Sequence, residues 1–482
     1  MNKNKIKSYL RILAISLVIT ACKLPYVGRN VENTTVPDKF RNSQDSSSTD
    51  TTNTADIKWR DYFKDTLLTA LIDSALHNNQ ELNITLQEIQ IHKNEVRARK
   101  GEYLPFVGVG ANAGVEKTAR YTRDGASEAA NDIMPGKPTP DILPNYMIGF
   151  NASWEIDIWG KLHKAKRAAF NRFLASVEGK NFMVTNLVSE IARTYYELLA
   201  LDNQLAIVKQ NIQIQSNALE IVNLQKQSAI VTELAVRRFE AEVYHTKSLQ
   251  YEVQQQIVEA ENKINFLVGR FPQHVNRSSV VFTNIKPDTT FVGIPSQLLE
   301  NRRDIKEAEL KLVAAKLDVK VAKAQFYPSL SLEAGVGFQA FNPTVLFKAP
   351  LSLLWGLVGN LMAPLINRNA IKAAYYSSNS KQIQAVYNYE RAILNAYIEV
   401  SNQMANIQNL RKNYELKSKQ VNALNESITI SINLFKSAQA DYMEVLFTQR
   451  DALESKFDLI ETQKQRLIAT INMYKALGGG WN

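Results

Sequence analysis

The sequence predicts a mainly α-helical chain that also supplies four strands to a membrane β-barrel shared with copies of itself. Three observations predict this class. Helix breakers are nearly absent from two long stretches: Lys161 to Val268 holds only Gly179, and Leu365 to Leu477 holds neither Gly nor Pro. Four segments alternate apolar and polar residues with the period of a strand. The chain also repeats itself, so it reads as two copies of one unit.

Composition sets the bounds. The chain has 482 residues, 45% hydrophobic and 22% charged, which suits a sizeable core rather than a disordered chain. One cysteine excludes an intrachain disulfide and a Cys-based zinc site. The net charge is +10, but four of those charges (Lys3, Lys5, Lys7 and Arg11) lie in the first 21 residues. The remaining excess of +6 is too modest to indicate nucleic-acid binding.

Residues 1–21 have the basic start, apolar stretch and small-residue end of a secretory signal. The only cysteine follows at once, in Ile19-Thr20-Ala21-Cys22. This resembles the lipobox of bacterial lipoproteins, which makes Cys22 the expected lipidation site. Arg41 to Ala55 is almost all Ser, Thr, Asp and Asn, and reads as an extended tether that buries nothing. The expected division is therefore a signal peptide (1–21), an anchored polar segment (22–58), a first repeat (59–285) and a second repeat (286–482).

The repeats align at a shift of 223 and then of about 209. Asn78 falls on Asn301, Pro105 on Pro328 and Gly114 on Gly337; later Gly269 falls on Gly478. Each copy reads as helix, strand, loop, strand and long helical hairpin. The strands are expected at about 105–116, 146–159, 328–338 and 349–363. In the second, Tyr146, Ile148, Phe150, Ala152, Trp154, Ile156 and Ile158 are apolar, and Gly149, Asn151, Ser153, Glu155 and Asp157 lie between them. Such segments have the length and pattern of transmembrane strands. Soluble sandwich strands alternate likewise; the envelope signal and the lack of further strands favour the membrane. Ala349 to Ile366 is apolar enough to pass as a membrane helix, but Gly356, Gly359 and Pro364 argue for a strand. Four strands cannot close a barrel, and hydrocarbon tolerates no open edge. Three copies give 12 strands.

The hairpins are long. From Lys161 to Ser228 a continuous helix would span roughly 100 Å. Reversals are expected near 228–234 and 437–443, where small or polar residues interrupt the apolar pattern. No catalytic or metal signature appears: the five histidines are scattered, and H-E-x-x-H, G-x-S-x-G and G-K-[ST] are absent. Neither enzymatic activity nor a cofactor is expected.

The chain resembles the TolC-like outer-membrane efflux proteins, in the lipoprotein branch typified by OprM and NodT. Trp59-Arg60-Asp61-Tyr62-Phe63 resembles the family's start. Pro295 to Ile305, with Asn301-Arg302-Arg303-Asp304, resembles its most specific motif, although Arg303 stands where proline is usual. Trp154 to Lys161 matches the strand-to-helix junction, and Lys475 to Trp481 the family's ending. The resemblance implies a homotrimer: a 12-stranded outer-membrane barrel continuous with a long periplasmic α-helical barrel. It implies a periplasmic adaptor and an inner-membrane pump of the proton-driven RND type as partners, with small molecules leaving through the lumen. A duct for one-step protein or peptide secretion would share the fold. A coiled-coil scaffold without a pore is the alternative of another class.

Further roles follow from the resemblance. Adaptor docking is expected at the tips, Ser228, Ala229, Ile230, Ser437, Ala438 and Gln439, where small residues replace the usual glycines. A periplasmic gate is expected at Met443 and Phe447, which share a helix face, with Asp441 or Glu444 supplying any acidic ring. The same spacing fits packing between helices. Glu116, Glu155, Asp157 and Glu333 are expected to face the lumen, either favouring cations or only keeping it wet.

Overall fold

The computed structural model describes residues 25, 28, 31–40, 52–278, 282–287, 291–437 and 439–481. The signal segment, Cys22, the tether residues 41–51 and Ala438 lie outside the described residues. The chain divides into two compact units. One contains residues 90–173 and 310–386; the other contains 32–89, 174–309 and 387–482.

The first unit holds a four-stranded antiparallel sheet of β1 (Phe106–Glu116), β2 (Leu143–Ile156), β3 (Ser329–Ala340) and β4 (Leu353–Met362), in that spatial order. The pairing puts like with like. Val109, Phe150, Val336 and Trp355 form one row across the sheet, and Asn151 and Gly335 share a row with Gly108 and Gly356. One face is therefore apolar and the other lined by small and polar residues. Both faces are open: Val109, Phe150, Val336 and Trp355 on the first are 69%, 60%, 48% and 77% exposed, and Phe106 and Val358 on the second are exposed as well. The outer edges of β1 and β4 have no strand partner among the described residues. The segment 349–366 holds strand β4, as its glycines and proline argue, and no described helix is long and apolar enough to cross a membrane.

Two strand boundaries need correction. β2 ends at Ile156, so Ile158 and Trp159 are not part of it. The cause is Asp157, whose carboxylate accepts the amides of Leu162 (3.0 Å) and His163 (2.9 Å) and so caps the next helix. β4 begins at Leu353 rather than near 349, because Ser352 turns back, its amide donating to Lys348 and its hydroxyl to Val345 O at 2.6 Å.

The second unit is helical. Its main elements are α1 (Thr66–Asn78), α2 (Gln80–Glu102), α3 (Lys161–Gln227), α4 (Glu233–Val268), α5 (Arg303–Ala324), α6 (Asn369–Lys436) and α7 (Tyr442–Leu477); α2, α3, α5 and α6 also have residues in the first unit. The breaker-free stretches thus form the two hairpins α3–α4 and α6–α7. Their core joins Trp59, Phe63 and Leu68 to Val188, Ile191, Tyr195, Leu198, Ile264, Ile460 and Tyr474. Asp65 caps α1 by accepting the amides of Leu67 and Leu68, and also accepts the Tyr195 hydroxyl at 2.8 Å.

The duplication is visible in the packing. Gly269 and Gly478 end α4 and α7 with left-handed φ of 76° and 98°. A Cβ on Gly269 would lie 2.4 Å from Asn78 O, and one on Gly478 2.7 Å from Asn301 O. The matched glycines therefore press on the matched asparagines, and each copy needs its glycine for the same two reasons. The polar tether also needs correction: Asn53, Thr54 and Ala55 are buried. Asn53 pairs with Val292, and the Thr54 hydroxyl and amide donate to Phe291 O. Upstream, Phe40 is buried and stacks on Tyr397 of α6 with ring centroids 5.3 Å apart.

Candidate functional site

The polar sheet face is the candidate lining. Glu116 and Glu333 both lie on it and are exposed. Glu333 pairs across the sheet with Ser153 and Val358. Glu155 lies on the same face, but its carboxylate binds Lys161 Nζ at 2.5 Å. Asp157 departs from the expectation: it lies beyond the strand, its side chain is 6% exposed, and it serves as the α3 cap. Burial pushes its pKa up, but the His163 amide and ring and the Leu162 amide outweigh this and hold it below the usual carboxylate range.

These contacts explain the Trp154–Lys161 motif. Trp154 Nε1 donates to Tyr103 O (3.0 Å), and Trp159 Nε1 donates to Pro328 O (2.7 Å). Trp159 also stacks on Tyr327, and His163 on Tyr103. Gly160 turns the chain at φ 65°. The motif joins the end of β2 to the first turn of α3 through aromatic stacking and the buried Asp157 carboxylate.

At the first tip, α3 ends with the Ala229 amide donating to Lys226 O and the Ile230 amide to Gln225 O, both at 2.9 Å. This is the Schellman arrangement, which puts its left-handed residue at Ala229, φ 51°. The α4 and α7 ends are built the same way with glycine. Ala229 thus carries strain that glycine would not. The second tip repeats the closing bond, Gln439 amide to Leu434 O at 2.9 Å. Ser228, Ile230 and Ser437 are all exposed at these ends.

The tips differ in charge, which the sequence reading missed. Glu233 binds Lys226 and Arg237, and Arg237 also binds Glu240 at 2.8 Å. Lys226 first, then Arg237, hold the Glu233 carboxyl below its ordinary range. Shifting these positions by 209 gives Phe435, Tyr442, Leu446 and Gln449, so the second tip has no such network.

Met443 and Phe447 have different surroundings. Met443 is half-buried against Val222, Ala235, Phe239 and Val445, with Arg238 Nη1 3.3 Å from its sulfur. It packs between the hairpins of one chain. Phe447 is 46% exposed, with the Arg450 guanidinium 5.1 Å from its ring centre. Asp441 and Glu444 are exposed.

The most specific sequence motif surrounds a buried cation. The Arg302 side chain is 5% exposed. Its Nε and Nη2 grip Asp304 (3.0 and 2.7 Å), and Nη1 reaches Glu399 (2.5 Å) and Ala476 O (3.0 Å). It joins the starts of the second repeat and of α5 to α6 and to the end of α7. Arg303, in the usual proline place, is the first residue of α5, where proline's missing amide costs nothing. Its guanidinium lies 3.8 Å from the Trp481 ring centre. Among the described residues, no group of three acidic, His or Cys side chains could hold a metal ion.

The profile of a family described as outer membrane efflux protein matches residues 71–270 and 294–479. The chain is 26% identical over 468 residues to the cation efflux system protein CusC of Escherichia coli O6:H1, covering 97% of each chain. It is 27% identical to the pyoverdine export outer membrane protein OpmQ of Pseudomonas aeruginosa, covering 89% of this chain and 88% of that one. Among solved structures, the open state of the Neisseria gonorrhoeae MtrE outer membrane channel superposes with a TM-score of 0.82 at 23% identity, covering 95% of this chain and 98% of that one.

Proposed function

The chain belongs to the outer membrane efflux protein family, and on that footing we propose that it is the exit duct of a tripartite efflux system. It conducts small molecules passively from a periplasmic adaptor and an inner-membrane pump of the proton-driven RND type to the exterior. Three copies close a 12-stranded barrel in the outer membrane and extend it as a periplasmic α-helical barrel. Cys22 carries the lipid anchor. The observation that carries this reading is the sheet, apolar and exposed on one face, small and polar on the other, with two unpaired edges. A lipid bilayer satisfies the first face, a wet lumen the second, and only further copies satisfy the edges.

Within that duct, Glu116 and Glu333 face the lumen and favour cations, while Glu155 and Asp157 hold the joint. The tips around Ser228–Ile230 and Ser437–Gln439 dock the adaptor, and the ion-pair network of the first tip is replaced in the second by Phe435, Tyr442, Leu446 and Gln449. Phe447, Glu444 and Asp441 form the narrow end, backed by Met443. Relatives at 26% and 27% identity are named for cation efflux and for pyoverdine export.

The test is dye accumulation in cells with and without the gene, before and after collapse of the proton-motive force. Higher accumulation in the deletion, erased by collapse, is expected. Equal accumulation together with loss of a secreted protein would instead assign the duct to protein export.

A further inference from the structure

The positive charge of the chain is gathered where helices meet the sheet. Four helix ends do so: the end of α2, the start of α3, the end of α5 and the start of α6, over residues 90–102, 161–173, 310–324 and 368–386. They hold sixteen Lys and Arg against three acids, a net +13, whereas everything else from Cys22 onward nets −7. Lys161 to Val177 holds no acid, and neither does Arg368 to Tyr389. Lys161 is paired with Glu155, and Arg172 with Asp318. Lys100, Arg167, Lys320, Lys323 and Lys372 are exposed and make no ion pair among the described residues. Like charges gathered at one end of an exposed apolar sheet repel one another and call for an anionic partner.

One of the four junctions has the shape of a site. Trp154 lies on the apolar sheet face, four residues on from Phe150, and its indole donates to Tyr103 O at 3.0 Å. Tyr103 therefore sits at the foot of that face. His163 stacks on its ring, with centroids 4.3 Å apart. Lys166 Nζ lies 5.5 Å from the ring centre and donates to the hydroxyl oxygen at 3.4 Å, which leaves the hydroxyl its own proton to give. His163, Lys166, Arg167 and Phe170 recur at helical spacing and share one face of α3. Arg167 and Phe170 on that face are exposed. Away from the sheet the order is apolar strand, Trp and Tyr, then two cations, which is the profile of a membrane interface.

The second repeat seals the same place. Tyr103 falls on Phe326 at the shift of 223, and Lys166-Arg167 fall on Ala374-Tyr375 at 208. Tyr375 packs edge-on against Phe326, with centroids 5.7 Å apart, and both are buried. Where the second copy puts an aromatic ring, the first puts an exposed guanidinium, beside an ammonium and a hydroxyl. The first junction is thus built open and donor-rich.

We propose that this face of α3 binds an anionic phospholipid of the periplasmic leaflet. Lys166 and Arg167 hold the phosphate, with the Tyr103 hydroxyl as a third donor, and an acyl chain lies along Trp154 and Phe150. A lipid fits better than a free anion because the cations adjoin exposed apolar surface. This rests on reading the sheet as membrane strands.

The test presents the full-length, delipidated protein with phosphatidylglycerol or phosphatidylethanolamine of the same chains and counts retained lipid by native mass spectrometry. Phosphatidylglycerol, whose phosphate no ammonium neutralises, should be held about tenfold more strongly. Lys166→Gln with Arg167→Gln should erase that preference, Lys166→Arg should keep it, and Lys320→Gln with Lys323→Gln should leave it unchanged. Equal retention of the two lipids, or a preference that survives the double Gln variant, overturns the site. Displacement of the lipid by inorganic phosphate alone overturns the lipid assignment in favour of a free anion. A double Gln variant that shifts the channel's reversal potential but not its lipid retention places these cations in the lumen and overturns the proposal. A wild-type protein that does not insert into vesicles overturns the membrane-strand reading itself.

Discussion

Replacing Arg302 should damage the fold more than any other single change to a charged residue near it. The guanidinium is buried, and Ala would remove four hydrogen bonds at once. Breaking a buried pair by deleting one partner costs about 3–5 kcal/mol, mostly from the charge left behind. Two features place this site near the lower end. Glu399 is half exposed and can rehydrate, and Asp304 sits in the first turn of α5, where the helix dipole favours a carboxylate. The Ala476 carbonyl is left without its buried donor, which costs about 1–3 kcal/mol by itself. We expect a loss of about 3 kcal/mol for Arg302→Ala. Arg302→Lys keeps the charge but cannot make the two-pronged grip, so about 1–2 kcal/mol is lost. Glu399→Gln should cost under about 1 kcal/mol, because that partner is exposed. Thermal melting of the detergent-extracted protein, followed by helical circular dichroism, should give the order wild type, Glu399→Gln, Arg302→Lys, Arg302→Ala from most to least stable. If Arg302→Ala melts with Glu399→Gln, the buried cation does not hold these segments together.

Four further outcomes are expected. Ala229→Gly should stabilise the first tip by about 0.5–1 kcal/mol, because the left-handed strain it relieves exceeds the entropy that glycine adds; slower proteolysis at the tip reads this out, and faster cleavage counts against it. Gly478→Ala should lower the melting temperature, since its Cβ meets Asn301 at φ 98°, whereas Gly101→Ala, on a helix with open space, should be neutral or mildly stabilising. Asp157 has a depressed pKa, so its contribution is complete above the unfolded value near 4 and is lost as pH falls through the lower folded value; Asp157→Asn should flatten the melting temperature below about pH 4, and an unchanged acid limb would remove Asp157 as its cause. Met443→Ala with Phe447→Ala should raise single-channel conductance, and unchanged conductance removes both residues from the gate.

Periodicity made the strands and hairpins readable, because a sheet exposed on both faces and helices packed on one side leave simple patterns. What it could not give was where a strand yields to a cap. Ile158 continues the alternation of Tyr146–Ile156, but Asp157 has already turned to the α3 amides. Composition likewise marks Arg41–Ala55 as tether, yet Asn53 and Thr54 are held by Val292 and Phe291, more than 230 residues away in sequence. Arg302 stood out as part of a motif, but its reason lies in Glu399 and Ala476, which no local pattern joins to it. The duplication was the more productive signal. It located the paired glycines, and its failures are informative: the charged tip at Glu233 against Tyr442, and exposed Arg167 against buried Tyr375, mark where the two copies face different neighbours.

The most direct measurement is the native mass of the membrane-extracted protein, with its electrophoretic migration before and after heating. A sheet with two open edges in hydrocarbon must find partners, so three chains per particle and a compact, heat-modifiable oligomer are expected. A stable, membrane-inserted monomer would contradict the account, because its β1 and β4 edges would then stand unpaired in lipid.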